Sequence, residues 1–509
     1  MEKINKNILN NFFRSPIWLA VAISLLLSTL NVINDDSINS DGIRYVEAAK
    51  LFLEQGWQAS IEHYKWPFYQ ILIAIISKIT FLDLEHAAYL LNAILLAGLA
   101  YAFVRCADYL ADDKKVSWAA LAILLTHLNI NGYRDLIIRD FGYWCFFFVA
   151  LLMLLKFYKE KQFRYLGYYT ASILVATLFR IEGIIFVVLG PLVLLWHSPS
   201  DSRSYKNLVI YFAPLIIIAM IGFLVLLDNE TTGNPGRLLD PVNYFKNAIA
   251  NIATGIKAKG EIIEENVLGV FARNLGTQSF IAILIMMMVT KLFSATGLIT
   301  VLLSIRTFTA KHLRDSIKHS PVLLWFILLN LLVLSGFLLA EFFLSARYAI
   351  TFALLLCLPA SVALASIFRA SGKPSKKIKT LRVVIVIALV YMLLDGVTSF
   401  SAGKVYRTDA ADWIKNNIGA EQRLLSNDEL MFYYSGRAVP WGELTGVYDK
   451  TRFGNVPEQS ITDYDAAAIR ISRKQPEFEE KVVEWAGTHP AHRVKNKRGD
   501  TVLIFKVRK

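Results

Sequence analysis

Long apolar runs recur along most of the chain, and they constrain its fold more than any other feature of the sequence. A bilayer core about 30 Å thick requires roughly 17 to 25 apolar residues in each crossing helix. Hydrophobic residues occupy 55% of the 509 positions and charged residues only 19%, so much of the surface must face lipid. The pattern predicts an α-helical polytopic membrane protein. Eleven membrane helices are expected, over residues 16–33, 87–107, 116–130, 141–158, 165–179, 183–196, 208–227, 280–303, 321–340, 346–367 and 383–397.

The charge balance is typical of a membrane protein and not of one that binds nucleic acid. The 54 basic and 41 acidic side chains leave a net charge of +13, and the basic excess collects in short segments between apolar runs. Cys106, Cys145 and Cys357 lie within or at the ends of such runs, so no disulfide framework is predicted. The first run follows Lys3 and Arg14 and is longer than a signal-peptide core, which indicates an uncleaved first membrane helix.

Basic residues recur in alternate short loops, and this alternation sets the predicted orientation. With the N-terminus in the cytoplasm, the basic loops at 105–115, 159–164, 203–206, 306–318 and 369–382 all face the same side. A twelfth apolar run, at 66–82, would reverse every later loop if it crossed the membrane. It is therefore predicted to lie in the outer leaflet, and the C-terminal end of the chain to be external.

A second external segment contains an amphipathic stretch. Apolar residues from Val242 to Ile256 recur at helical spacing, with Lys257 and Lys259 close behind. The pattern suits a helix on the membrane surface and equally a helix packed on the protein itself, and the sequence leaves both open.

The tail has a different pattern, in which short strands alternate with helices. Helices are predicted at 408–417, 428–434 and 476–486, and strands at 423–425, 466–472, 493–495 and 501–507. This predicts a small C-terminal extracytoplasmic α/β domain over 401–509. The membrane domain then covers 1–400, with external loops at 34–86 and 228–277.

Carboxylates and arginines gather at those ends of the predicted helices that face outward, where charged groups commonly mark functional sites. They are Asp41, Arg134, Asp135, Arg139, Asp140, Arg180, Glu182, Glu341 and Arg347. Each also has a structural explanation that the sequence leaves open. Asp41 suits a helix N-cap, neighbouring Arg and Asp or Glu residues suit ion pairs, and Arg347 suits a contact with lipid headgroups.

Several short motifs occur in a fixed order along the chain. They are Asp-x-x-x-Tyr-x-x-x-Ala at 41–49, Trp-Pro-Phe-Tyr at 66–69, Arg to Asp before aromatic residues at 134–144, Arg-x-Glu-Gly at 180–183, and Arg-Tyr at 347–348. In this order the motifs resemble those of the GT-C superfamily of membrane glycosyltransferases, in particular bacterial relatives of the protein O-mannosyltransferases and of the lipid A aminoarabinose transferase. The tail is similar to their external domains at 410–415 and 424–437. One departure is Gly42, where many relatives carry a second acid.

The resemblance implies transfer of a sugar from a polyprenyl-phosphate donor to a hydroxyl acceptor at the outer face of a bacterial inner (plasma) membrane, with inversion at the anomeric carbon. It implies Asp41 as the catalytic base, and Arg139, Arg180 and Arg347 as ligands of the donor phosphate. Supporting roles fall to Arg134, Asp135, Asp140, Glu182, Glu341, Tyr45 and Tyr348. The cofactor requirement is unknown, with a divalent cation (Mg²⁺ or Mn²⁺) as one option beside Asp135 or Asp140.

Other functions remain open at this point. A transporter also carries charged residues at membrane depth, but the sequence has no inverted repeat. A noncatalytic scaffold with an external binding domain would not require eleven membrane helices. A polysaccharide ligase or polymerase would share the topology and the lipid donor without requiring the motif at Asp41.

The predicted orientation can be tested by labelling single cysteines introduced from either side of sealed vesicles. Cysteines at Lys376 and Gly436 are expected to react from opposite faces, because the basic loops place them on different sides. Cysteines at Lys65 and Asp83 are expected to react from the same external face. Labelling of positions 376 and 436 from one side would contradict the orientation, and opposite labelling of 65 and 83 would mean that the run at 66–82 crosses.

Overall fold

In the computed structural model, a largely helical chain ends in a small mixed sheet, which confirms the predicted fold class. The structure describes residues 15–34, 37–197, 206–213, 216, 240–317, 320–369, 375–397 and 405–507. The basic residues before position 15 lie outside this part of the chain, as do most of the predicted helix at 208–227 and the side chains of Val242, Phe245 and Ile249.

The helices of the membrane part alternate between long apolar segments and short connecting ones. They are α1 (Pro16–Asn34), α2 (Ser40–Gln55), α3 (Trp57–His63), α4 (Phe68–Thr80), α5 (Leu84–Ala111), α6 (Lys114–Leu125), α7 (Leu128–Asn131), α8 (Asp140–Glu160), α9 (Arg164–Phe179), α10 (Gly183–Leu189), α11 (Val193–His197), α12 (Asp240–Asn266), α13 (Gly276–Thr296), α14 (Leu298–Thr309), α15 (Lys311–Arg314), α16 (Ser320–Glu341), α17 (Ile350–Arg369) and α18 (Lys376–Val397).

Six stretches of the described residues are long and apolar enough to cross a membrane. They are Pro16–Asn34, Leu84–Ala111, Asp140–Glu160, Val270–Thr296, Pro321–Glu341 and Ile350–Arg369. The protein is thus an integral membrane protein, whereas the number of eleven crossings stays a prediction. Helix α4 has 13 residues and a length of about 20 Å, shorter than a 30 Å core, and its place in one leaflet stays a prediction.

Two predicted spans are interrupted. The expected helix at 280–303 breaks at Gly297, which separates α13 from α14. The φ angle of Gly297 is +78°, a conformation that glycine adopts without steric cost. The expected helix at 116–130 ends at Leu125, and α7 follows as a separate turn. Apolar character continues through both breaks, so hydropathy alone did not reveal them.

The chain divides into two compact units, each assembled from separate parts of the sequence. The first contains residues 1–25, 94–131 and 139–396, and the second contains 26–93, 132–138 and 397–509. In the first, α8 is buried on nearly all sides, as expected for a helix that is apolar all round. Its Phe147 ring packs edge-on against Phe186 and Phe326, with ring centres 4.8 and 5.6 Å apart.

The second unit contains the predicted α/β element pattern. Its elements from the tail are α19 (Val405–Asn417), β1 (Leu424–Ser426), α20 (Glu429–Tyr433), α21 (Trp441–Thr451), β2 (Ala466–Ile471), α22 (Phe478–Ala486), β3 (His492–Lys495) and β4 (Thr501–Lys506). The strand order is β1-β2-β4-β3, with β1 and β2 parallel and the other pairs antiparallel. The sequence did not indicate α21, which has two glycines and only a weak apolar stripe.

Candidate functional site

The first group of charges is centred on the start of α8. Asp140 is the first residue of this helix, and its side chain is only 2% exposed. Two positions later, Gly142 leaves space for the ring of Phe179, since an added Cβ would lie 2.2 Å from that ring. Phe179 ends α9, so this close approach places the next residue, Arg180, beside Asp140.

Arg180 bridges two carboxylates. Its guanidinium donates to Asp140 through Nη1 and to Glu182 through Nη2, and its Nε lies 3.2 Å from Glu182 Oε1. Its carbon Cζ lies 4.2 Å from the ring centre of Tyr348, a cation–π contact. The side chain of Arg180 is 9% exposed. The pair of Arg180 and Glu182 that the sequence suggested is therefore present, and Asp140 belongs to it as well.

Arg347 approaches the same carboxylate from the segment between α16 and α17. Its Nε lies 3.5 Å from Asp140 Oδ2, and its Cζ lies 5.7 Å from the ring centre of Tyr348. Its side chain is 23% exposed, against 9% for Arg180. Arg347 thus has a protein partner, and it also offers more surface to a ligand than Arg180 does.

Arg139 adds a third positive charge. It directly precedes α8, is partly exposed, and interacts electrostatically with both Asp140 and Glu182. Three arginines around two carboxylates leave a net charge of +1 (three minus two) on this group. Helices α8, α10 and α17 each begin within three residues of one of these arginines. Because helix N-termini carry partial positive charge, the arrangement favours an anion such as phosphate.

A small cavity of about 20 Å³ lies among these charges. Asp140, Arg180, Glu182 and Tyr348 all line it. The volume is close to what one water molecule requires, so this cavity is a feature of the charged group and not a pocket for a whole sugar.

Two further residues of the cavity were not found from the sequence. The hydroxyl of Tyr143 and the Oδ1 of Asn330 are buried there, and neither makes a hydrogen bond with the described residues. The sequence contains a feature that could have indicated each of these two residues. Tyr143 follows Asp140 by three positions and so shares its helix face, and Asn330 is a polar residue within the very apolar helix α16.

In the second unit, Asp41 lies in the first turn of α2 and is partly exposed. The helix begins at Ser40 and its N-cap is Asn39, which has the extended backbone of a cap residue. The interpretation of Asp41 as the N-cap is therefore wrong. A carboxylate in the first turn still interacts favourably with the helix dipole, by about 0.3–1 kcal/mol.

Asn39 connects this turn to the segment that carries Arg134 and Asp135. Its Oδ1 accepts a hydrogen bond from the backbone N–H of Ile137 at 2.7 Å, and its Nδ2 lies 3.3 Å from the carbonyl of the same residue. Arg134 is 2% exposed and donates to Ser28 Oγ at 2.8 Å, so it anchors the segment to α1. The turn that precedes α2 thus contacts the segment that carries Arg134 and Asp135.

The tail also holds the turn that contains Asp41. The N–H of Ile38 donates to the hydroxyl of Tyr434 at 2.9 Å, and the hydroxyl of Ser40 donates to Glu429 Oε1 at 2.5 Å. Both bonds span almost 400 positions of sequence. The C-terminal domain therefore holds two of the three residues that directly precede Asp41.

Gly42 and Tyr45 both have structural reasons for their identity. A Cβ at Gly42 would lie 2.8 Å from Ile38 Cγ1 and 2.9 Å from Ile137 Cβ, so this position has no room for the second acid of the related motif. Tyr45 is 4% exposed, and its ring packs edge-on against Tyr64 and Tyr69 with centres 5.1 and 4.9 Å apart. Tyr45 therefore belongs to an aromatic core.

The remaining candidates are less closely placed. Asp135 is partly buried in the segment next to Arg134. Glu341 ends α16 in the first unit, where it is exposed and does not line the small cavity.

The described side chains do not form a metal-binding set. Within the part of the chain that the structure describes, no three His, Cys, Asp or Glu residues are grouped so that they could hold an ion. Asp140 and Glu182 already share Arg180. Asp135 and Asp140 therefore belong to no such group among these residues, and a divalent cation beside either of them stays one option from the sequence.

The chain was compared with known proteins. No protein-family model matches it, and no curated protein matches it. Among solved structures, the archaeal oligosaccharyltransferase AglB from Archaeoglobus fulgidus, in complex with an inhibitory peptide and a dolichol-phosphate, is similar over 93% of this chain and 68% of its own, with 14% identity and a TM-score of 0.51. This likeness shows a shared fold.

Two other solved structures are also similar, with lower TM-scores. ArnT from Cupriavidus metallidurans, bound to undecaprenyl phosphate, is 13% identical over 96% of this chain and 97% of its own, with a TM-score of 0.37. The arabinofuranosyltransferase AftD from Mycobacteria is 14% identical over 96% of this chain and 41% of its own, with a TM-score of 0.47.

Substitutions of Arg180 and of Arg347 are expected to differ in their effect on the free energy of unfolding. Arg180→Gln leaves the buried Asp140 and the partly buried Glu182 without their shared cation, which is expected to cost about 3–5 kcal/mol. Arg347→Gln is expected to cost much less, because Arg180 still pairs with Asp140. Thermal unfolding of both purified variants in one detergent measures the difference. Equal losses would show that Arg180 is not the main structural cation.

Proposed function

We propose that this chain, which has the fold of the GT-C membrane glycosyltransferases, transfers a sugar from a polyprenyl-phosphate-linked donor to a hydroxyl group of a lipid, glycan or protein at the outer face of the membrane. The observation that carries the proposal is the group of Arg139, Arg180 and Arg347 at the starts of three helices, with its net positive charge. Guanidinium groups bind phosphate through two parallel hydrogen bonds, and the similar AglB structure holds a dolichol-phosphate.

The three arginines do not have equal roles in this proposal. Arg180 is occupied by two carboxylates and by the ring of Tyr348, so it positions the group. Arg347 and Arg139 are more exposed and are the ligands of the donor phosphate. When the bond between the anomeric carbon and the phosphate oxygen breaks, negative charge grows on the phosphate. These two arginines stabilise that charge.

Asp41 is the proposed catalytic base. The acceptor oxygen attacks the anomeric carbon, its proton passes to the Asp41 carboxylate, and the polyprenyl phosphate leaves with the electrons of the broken bond. A single displacement of this kind inverts the anomeric carbon. The contacts of Asn39 and Ser40 hold the turn, and Asp41 itself remains partly exposed, as a base that meets a substrate must be.

Finer features of the proposal rest on the family resemblance and on the alternation of basic loops. The sugar is a hexose or a pentose, the membrane is a bacterial inner (plasma) membrane, and the N-terminus is cytoplasmic with the C-terminal domain external. The fold does not favour a transporter or a noncatalytic scaffold. In either of those proteins, a partly exposed carboxylate at position 41 would tolerate replacement by an amide.

Arg347→Lys is expected to reduce transfer by at least tenfold, because Lys keeps the charge but loses the two-pronged geometry that matches phosphate. The measurement is the consumption of a polyprenyl-phosphate sugar by purified protein, after a panel of such donors has identified the one that is used. Arg306→Lys, at an exposed position near the end of α14, is the matched control and should behave like the wild type. Full activity of a folded Arg347→Lys protein would mean that a point charge is sufficient.

Asp41→Asn is expected to lower the rate of transfer by about 10²- to 10⁴-fold, since only the proton acceptor is lost. The fold should persist, because Asn39 remains the cap and the dipole contribution of Asp41 is below about 1 kcal/mol. Asp449→Asn, an exposed carboxylate of α21, serves as the control for a lost charge. Rates are measured with saturating donor, and thermal unfolding verifies the fold. Near-normal transfer by Asp41→Asn would remove this residue from the mechanism.

A further inference from the structure

A polar crevice of about 520 Å³ lies at one edge of the C-terminal sheet. Strands β1 and β2 are parallel neighbours, and Asn427 and Ser472, which directly follow them, both line the crevice. Ligands of α/β domains commonly bind just beyond the carboxyl ends of parallel strands. The volume lies within the range of about 300–1,000 Å³ that is typical of small-molecule sites.

The crevice is positively charged. Arg452, Arg470 and Lys474 line it, and none of the lining residues is acidic. Arg452 and Lys474 are exposed, and neither forms an ion pair with a carboxylate of the described residues. Two cations without carboxylate partners, facing one concave surface, attract an anion.

The third cation is held by a buried carboxylate below the crevice. Asp428 accepts hydrogen bonds from Arg407 Nε and Nη2 at 2.7 and 2.5 Å, and Arg470 Nη1 lies 3.6 Å from its Oδ2. Burial opposes ionisation of Asp428, but the two arginines hold its pKa below the usual range. Arg407 also lies 3.6 Å from Glu429, and Arg470 also interacts electrostatically with Asp500, so both arginines have carboxylate partners that do not line the crevice. The charges of Arg452 and Lys474 therefore remain uncompensated.

The other lining groups suit the hydroxyls and the ring of a sugar. Ser472 supplies a hydroxyl group, Gln475 supplies an amide oxygen, and Tyr448 presents a ring that is 46% exposed. Thr451 is 4% exposed, and its hydroxyl donates to the carbonyl of Val447 at 2.9 Å, so it belongs to the support of the crevice. The side chain of Asn427 is held in place by three hydrogen bonds. Its Nδ2 donates to Thr451 Oγ1 at 3.0 Å and to the carbonyl of Arg470 at 2.9 Å, and its Oδ1 accepts from the backbone N–H of Arg470 at 2.8 Å. A simple anion would require only the cations.

We propose that this crevice binds an acidic saccharide, a sugar that carries a carboxylate or a phosphate group. Arg452 and Lys474 bind the charged group, and the neutral side chains bind the hydroxyls. The proposal goes beyond sugar transfer and does not depend on it, because it assigns a ligand to a part of the C-terminal domain that has no role in the proposed chemistry.

The test is isothermal titration calorimetry on the full-length protein in detergent. The probes are glucuronic acid, glucose 6-phosphate, inorganic phosphate and neutral glucose, so the two acidic sugars distinguish a carboxylate from a phosphate. At least one acidic sugar is expected to bind tenfold or more tightly than glucose, a difference of about 1.4 kcal/mol for each factor of ten. Its affinity should fall as salt is added, because the two cations are exposed.

Paired variants localise the binding. The double variant Arg452→Gln/Lys474→Gln is expected to bind the acidic sugar with an affinity that is lower by tenfold or more. Lys481→Gln/Lys497→Gln removes the same charge from exposed positions outside the crevice and should bind like the wild type. This comparison also excludes binding at the arginine group of the first unit. If the first double variant fails to fold, Lys474→Gln is compared with Lys481→Gln.

Three outcomes would overturn the proposal. The first is that neither acidic sugar binds more tightly than glucose. The second is that the two double variants bind the acidic sugar equally well. The third is that inorganic phosphate binds as tightly as the acidic sugars, because the sugar would then contribute nothing to recognition.

Discussion

The shared ion pair of Arg180 with Asp140 and Glu182 is the interaction on which the first unit depends. An isolated buried charge costs several kcal/mol, and a single cation between two carboxylates offsets that cost only when all three groups are held in place. The contact of Phe179 with Gly142 fixes the distance between α9 and α8, and with it the position of the guanidinium. Packing and charge thus stabilise one geometry together.

This arrangement separates structural from chemical roles within one cluster. Arg180 bonds to both carboxylates, and the three arginines together exceed the two carboxylates by one positive charge, so the more exposed Arg139 and Arg347 can act on a ligand. The starts of three helices add positive potential in the same region. An anion-binding surface can therefore form at the end of a helix bundle without an uncompensated charge in its interior.

The second unit shows how the C-terminal α/β elements can hold a turn that is distant in sequence. Its Tyr434 and Glu429 bond to Ile38 and Ser40, which precede Asp41, and Asn39 connects the same turn to Ile137. Three distant parts of the sequence thus fix one exposed carboxylate. At the carboxyl ends of β1 and β2, the same domain has a crevice with its own positive charge.

The sequence by itself determined the membrane class, most helices and the strand–helix order of the tail, because hydrophobic periodicity and composition are local properties. Only the tertiary structure decided the pairing of Asp140 with Arg180, forty positions away, the bonds of the Asn39 side chain to Ile137 and the absence of space beside Gly42. It also revealed the break at Gly297 and the helix α21, where local composition was ambiguous. Such features depend on which side chains packing brings together, and linear spacing does not encode that information.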